Sequence, residues 1–208
     1  MKAESSDRLV YELLKRGMDV AGAMAGLLVL ALVFIPVALA IKLNSPGPIL
    51  FRQIRIGRQG HPFTFFKFRT MSIERVLDKE ERDRINEMGG PHFKSRLDPR
   101  ITRVGRFLRK YSLDELPQFY CVLAGPMSLV GPRPPLRHEV RDYSAHEMKR
   151  LQVKPGLTGP WQVRGRSTID FYRMVEMDIA YIQHRSLLGD CRLLLATLPA
   201  VLFHKGAW

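Results

Sequence analysis

The chain is poor in cysteine: its 208 residues hold only Cys121 and Cys191. These stand far apart, outside any CxxC or Cys/His grouping, which excludes a disulfide framework, argues against a zinc site and reads naturally as a reducing compartment. The histidines form no HExxH, and neither GxxxxGK[ST] nor GxGxxG occurs, so metalloprotease, P-loop and dinucleotide-binding chemistry have no support. Proline (14) and glycine (16) are modest beside 46% hydrophobic residues, which excludes a disordered tail and leaves room for one domain with a real core. Acid is also scarce. Twenty Asp and Glu face 33 Lys and Arg, a formal charge of +13 that calls for anionic partners: nucleic acid, acidic lipid or phosphate-bearing small molecules.

Residues 20–41 carry no charge at all. As a straight helix they would rise about 33 Å, enough to cross a hydrocarbon core. Three readings compete. A spanning helix would place the basic C-terminal body in the cytoplasm. A signal peptide would use Ala38-Leu39-Ala40 as its cleavage site, but the run exceeds the usual apolar region of such a peptide. A re-entrant hairpin would break at Pro36, which lacks an N–H and clashes with the carbonyl four residues earlier; Lys15 and Arg16 before it and Lys42 after it suit ends on the same side.

Past the turn-rich 44–48 the body begins. Residues 49–56 and 62–68 are β-prone runs around Gly57-Arg58-Gln59-Gly60, which reads as a hairpin. The charged stretch at 77–88 reads as a solvated helix or insertion. Asp98-Pro99 predicts a capped helix start, with Ile101, Val104 and Leu108 on one side and Arg100, Arg103, Arg106 and Lys110 on the other, a face suited to solvent or acidic headgroups. Ser112 and Glu115 have the spacing of a capping box. The adjacent carboxylates Asp114 and Glu115 also fit a nucleophile or magnesium ligand held beside cations. Residues 131–135 and 154–159 read as stiff Pro/Gly loops that present Arg133 and Lys154 to phosphate. Helical stretches are expected near 137–151, 169–184 and 186–203, the last either a core helix or one lying in the membrane interface.

Three segments, FRQIRIGRQGHPFTFFKFRTM (51–71), SLDELPQFYCVLAGPMSLVGPRPPL (112–136) and KPGLTGPWQVRGRS (154–167), together resemble the bacterial sugar transferases known as monotopic phosphoglycosyl transferases, of the undecaprenyl-phosphate hexose-1-phosphate type. The resemblance runs from the apolar segment to near the C-terminus and explains residues 77–96 and those before about Lys15 least. It implies a mostly helical α+β fold. Residues 1–43 would form a membrane-inserted re-entrant helix-break-helix, and 44–208 a cytoplasmic-face catalytic domain with amphipathic interfacial helices and a short β-hairpin, at the bacterial inner membrane. The family's Ser-Pro breaker is here Ile35-Pro36, so one supporting hydrogen-bonding group is missing.

Carried over to this chain, the family's Asp-Glu dyad falls on Asp114 and Glu115. Asp114 would attack the β-phosphorus of a UDP-sugar, release UMP and form a phosphosugar-aspartyl ester that undecaprenyl phosphate then takes up. Asp114 would also hold Mg²⁺, while Glu115 would position the acceptor or take its proton. Lys67, Arg69, Arg109 and Arg133 are expected on phosphates, with Gln162, Arg164 and Arg166 nearer the nucleotide. The expected partners are the UDP-sugar, undecaprenyl phosphate and membrane lipids, with no nucleic acid; a homodimer is compatible. The tail His204-Lys205-Gly206-Ala207-Trp208 resembles that of transferases for unmodified hexoses, galactose or glucose. The rival reading is a noncatalytic, basic, membrane-anchored module binding acidic lipid or polyprenyl phosphate.

Overall fold

The computed structural model describes residues 2–87, 95, 98–165 and 169–202. It is a mostly helical α+β fold in the order α1 (Lys2–Asn44), β1 (Leu50–Ile56), β2 (Pro62–Phe68), α2 (Lys79–Ile85), α3 (Arg103–Lys110), α4 (Gln118–Ala124), β3 (Ser128–Val130), α5 (Arg137–Arg141), β4 (Gly156–Thr158), α6 (Pro160–Arg164), α7 (Phe171–His184) and α8 (Leu187–Leu202).

The apolar segment lies within α1, a helix of 43 residues that contains Pro36 and would be about 65 Å long if straight. Its residues from Leu9–Asn44 are long and apolar enough to cross a membrane. Helical periodicity divides this stretch into two faces. Lys15, Asp19, Ala23, Gly26, Leu30, Phe34, Val37, Ala38 and Ile41 turn toward the body, where Ala23 packs with Phe65, Cys121, Val122 and Leu129, and Ile41 with Phe68 and Leu108. Met24, Leu28, Leu32, Ile35, Leu39 and Leu43 turn outward and stay exposed, Leu32 at 81% and Leu43 at 88%. An apolar outer face of this extent points to membrane association.

The expected hairpin forms. β1 and β2 pair antiparallel from Leu50↔Phe68 to Ile56↔Pro62, closed by a 3-10 turn at Arg58–Gly60 in which Gln59 takes φ 56°. The charged stretch becomes α2, which buries no residue and is capped by Asp78, whose carboxylate accepts from Glu81 N at 2.7 Å. The end of this region, residues 88–94, 96 and 97, lies outside the described residues.

Four local expectations are corrected. The helix after Asp98 begins only at Arg103, because Thr102 is the cap (Oγ1 accepts from Gly105 N at 2.9 Å), while Asp98 turns back to pair with Arg100 at 2.7 Å and Ile101 bridges to Met71. Ser112 does not cap: it sits at φ 54° with no capping side-chain hydrogen bond, and the next helix waits until Gln118. The stretch 137–151 splits into α5 and a 3-10 segment Glu147–Gln152, because Ser144 and Glu147 exchange side-chain and backbone bonds and restart the turn. Part of the predicted loop at 154–159 is the strand β4, parallel to β3. A Cβ on Gly156 would stand 2.0 Å from Gly131 N, so this approach of two backbones requires glycine.

α7 packs through Phe171, Met174, Val175 and Ile179, with Asp170 as its cap, onto Trp161 of α6. α8 is two-sided: Asp190 is fully buried, whereas Leu188, Leu195 and Leu198 are exposed.

Candidate active site

The site grows from the pleat of the hairpin. Successive side chains on a strand point to opposite faces, so Phe51, Gln53 and Arg55 of β1 share one face with Phe63, Phe65 and Lys67 of β2. Lys67, opposite Phe51, places Nζ 5.5 Å from that ring's centroid and makes no hydrogen bond or ion pair with a described residue. Against β2 packs the 3-10 turn Leu113–Glu115.

That turn follows directly from α3. Ser112 N donates to Arg109 O (3.1 Å), and the left-handed backbone at Ser112 reverses the chain so that Asp114 goes inward, only 7% exposed, while Glu115 stays outside. A non-glycine residue held at positive φ stores strain, and such positions gather at functional sites. Asp114 makes no hydrogen bond with any described residue, and its carboxylate stands near enough to Lys67 and Arg109 to favour the charged form of each. α3 in turn is pinned to the end of β2: a Cβ on Gly105 would lie 2.0 Å from Thr70 O, and Arg109 Nε donates to Thr70 Oγ1 at 3.0 Å.

Burial and charge decide the protonation of these cations. Burial pushes Lys67 down to about 8; Asp114 and Glu115 oppose the shift, and Arg109 and Arg55 add to it. Burial likewise lowers Arg109, against the pull of Asp114 and Asp98. Affinity for a diphosphate ligand is therefore expected to fall as pH rises through about 8, where Lys67 loses its charge. Lys67→Arg should remove that fall; binding measured across pH 6–10 checks it, as a flexible range of about four units brackets the transition. The sign for stability is opposite: the buried cation costs stability below about 8, and the cost is relieved as pH rises toward the ordinary lysine value.

The other anticipated residues divide. Arg133 is half-buried, forms no hydrogen bond or ion pair with described residues, and lies near Arg55. Arg69 has other work: Nε donates to Pro48 O at 2.7 Å, Nη1 to Ser45 Oγ at 2.8 Å and Pro46 O at 2.6 Å, and Nη2 to Ser45 O at 2.8 Å. It clamps the chain between α1 and β1. Gln162 and Arg164 are on α6, which packs on α7 and α8. Arg166 and the tail at 204–208 lie outside the described residues. Arg55, buried on the same hairpin face as Lys67, was not anticipated as a functional residue; the alternation of β1 was its only signal.

Among the described residues no three His, Cys, Asp or Glu side chains gather as a metal cage. This donor set still fits Mg²⁺, which is commonly bound by one or two carboxylates with substrate phosphates completing its shell.

The chain matches the family described as bacterial sugar transferase over residues 10–204. It is 45% identical over 194 residues to the galactosyl transferase CpsE of Streptococcus agalactiae, covering 93% of this chain and 43% of that protein. It is 40% identical over 207 residues to the UDP-glucose:undecaprenyl-phosphate glucose-1-phosphate transferase of Escherichia coli K12, covering 96% and 42%. With the exopolysaccharide production protein ExoY of Rhizobium meliloti it shares 37% identity over 93% of this chain and 88% of that protein. The chain thus spans less than half the length of the first two of these relatives.

Proposed function

Because the chain belongs to the bacterial sugar transferase family, we propose that it transfers hexose 1-phosphate from a UDP-sugar to undecaprenyl phosphate, the opening step of polysaccharide synthesis. The observation that carries the reading is Asp114 itself: a buried carboxylate that makes no hydrogen bond with a described residue, close enough to Lys67 and Arg109 to act on the charge of both. A carboxylate is nucleophilic at neutral pH without a separate base.

In the first step an Asp114 oxygen attacks the β-phosphorus. The bond from that phosphorus to the bridging oxygen breaks and UMP departs with the electron pair, leaving a phosphosugar ester on Asp114. In the second step an oxygen of undecaprenyl phosphate attacks the same phosphorus and returns the Asp114 carboxylate. Lys67, Arg109 and Arg133 hold the phosphoryl oxygens where charge is spread in the transition state. Glu115, exposed at the mouth, positions the acceptor or takes its proton. Asp114 would hold Mg²⁺, which would supply charge neutralisation for the diphosphate. The relatives' names, galactosyl transferase and UDP-glucose transferase, support an unmodified hexose.

For the membrane element we take residues 1–43 as re-entrant, with both ends at the cytoplasmic face of the inner membrane, and 44–208 as the catalytic body. What supports a bend is the placement of Pro36 on the outward face of α1. At that position its ring would crowd the carbonyl of Leu32 and favour a bend in what is one continuous helix, Lys2–Asn44, and protein contacts on the inner face would steady it.

UMP release in detergent or nanodiscs tests the chemistry. With UDP-galactose or UDP-glucose, Mg²⁺ and no acceptor, about one equivalent of UMP per enzyme is expected, followed by turnover once undecaprenyl phosphate is added. No UMP without acceptor under single-turnover conditions overturns the covalent step. No UMP from any UDP-sugar under any condition overturns the transferase.

A further inference from the structure

Arg55 is a buried cation outside the residues gathered so far. It is 7% exposed, its guanidinium stacks over Phe65 with 5.2 Å to the ring centroid, and its Nε is buried without a hydrogen-bond partner among the described residues. Burial and the neighbouring Arg133 push its pKa down to about 9, against a weaker pull from Glu139. Two guanidiniums side by side, one with an unused buried N–H, would not be gathered for stability: a buried charge lacking compensation is destabilising.

The remaining contacts of Arg55 all lead to the loop that carries Arg133. Arg55 Nη1 donates to Pro134 O at 3.0 Å, Ile56 N donates to Pro135 O at 3.0 Å, and Arg55 and Leu136 form an isolated antiparallel bridge. From the other side the loop is fixed by Gly131 N to Thr158 O (2.9 Å) and by Gly156 N to Pro132 O (2.8 Å). Residue 133 is therefore the one cationic side chain in a segment whose backbone is held on both flanks. Arg55 shares its hairpin face with Lys67 and stands near enough to both Lys67 and Arg133 for their charges to act on one another, so its grip on Pro134 ties the loop that carries Arg133 to the face that carries Lys67.

We propose that Arg55 is a positioning residue for the donor diphosphate: through Pro134 it fixes the loop 131–135 so that Arg133 meets the same phosphates as Lys67. The inference rests on the transferase reading above. Lysine cannot replace this arginine, because an ammonium lacks the planar fork that stacks on Phe65 while donating to a carbonyl.

The test compares Arg55→Lys, Arg55→Ala, Arg133→Ala and the Arg55→Ala/Arg133→Ala pair in detergent, by UMP release and by titration with the UDP-sugar. Both Arg55 variants are expected to weaken UDP-sugar binding about 10- to 100-fold, the scale of one charge-assisted hydrogen bond, with KM for undecaprenyl phosphate unchanged. The double variant should be no worse than Arg133→Ala alone, since Arg55 acts through Arg133. Losses that multiply, losses shared equally by both substrates, or full activity in Arg55→Lys overturn the proposal. If Arg55→Ala does not fold, the pair Arg55→Lys/Arg133→Ala makes the same comparison. A wild-type protein that neither binds UDP-sugar nor releases UMP instead refutes the transferase reading, which separates the two failures.

Discussion

Asp114→Asn is expected to abolish transfer, lowering UMP release at least about a thousandfold, the scale seen when a covalent nucleophile is removed. Asparagine has almost the same shape, so packing beside β2 is kept. Because Asp114 makes no hydrogen bond with a described residue, the substitution orphans no donor. Lys67 and Arg109 lose a neighbouring negative charge, and burial then depresses both further. A folded protein that has lost both the burst and turnover is the expected result; retention of full turnover removes Asp114 from the mechanism. A melting curve measured on the same sample separates chemistry from folding: transfer is lost in a protein that still unfolds cooperatively.

The largest expected loss of stability belongs to Asp190→Ala, about 3–5 kcal/mol, the cost of leaving a buried charge without its partner. Asp190 is fully buried and accepts from Lys15 Nζ at 2.7 Å, Tyr181 OH at 2.7 Å and Tyr11 OH at 3.1 Å; Lys15 also donates to Val130 O at 3.1 Å. This network ties α1 to α8 and to the end of β3. Truncation removes the one carboxylate that the ammonium and the two hydroxyls share, leaving Lys15 and Tyr181 only the neutral Val130 carbonyl and each other. Asp190→Asn keeps an acceptor for the tyrosines and should cost less. Thermal or denaturant unfolding in a fixed detergent checks both, and equal stability of Asp190→Ala and wild type would show that the network is replaceable by water.

What could be read in the sequence follows from how local its cause is. The hairpin was legible because alternation and the turn at 57–60 act within a few residues, and α7 because its apolar faces recur over 14 residues behind a capping Asp170. Ser112 misled because its spacing to Glu115 matches a capping box, but the turn that buries Asp114 needs the left-handed conformation, which no local pattern announces. Strands of three residues, β3 and β4, are too short for periodicity and are held by the approach of Gly131 to Gly156, a contact between distant segments.

At the site, the neighbouring carboxylates and Lys67 could be named from residue type and family resemblance. Arg69 shares the Lys67 motif, but β2 ends at Phe68, so Arg69 leaves the pleat and turns to the 45–48 hinge instead of the face that carries Lys67. Arg55 escaped notice for the converse reason. In sequence it is one more cation in a basic strand, and only its burial against Phe65 and Pro134 distinguishes it.

The two faces of α1 have a practical consequence for anyone wishing to handle the protein without lipid. Deleting the helix would tear Ala23, Phe34 and Ile41 from the interior and leave Phe65, Phe68 and Leu108 uncovered. The route to a water-soluble form is recolouring instead of excision: polar residues at Leu28, Leu32, Ile35 and Leu39, with the inner stripe untouched.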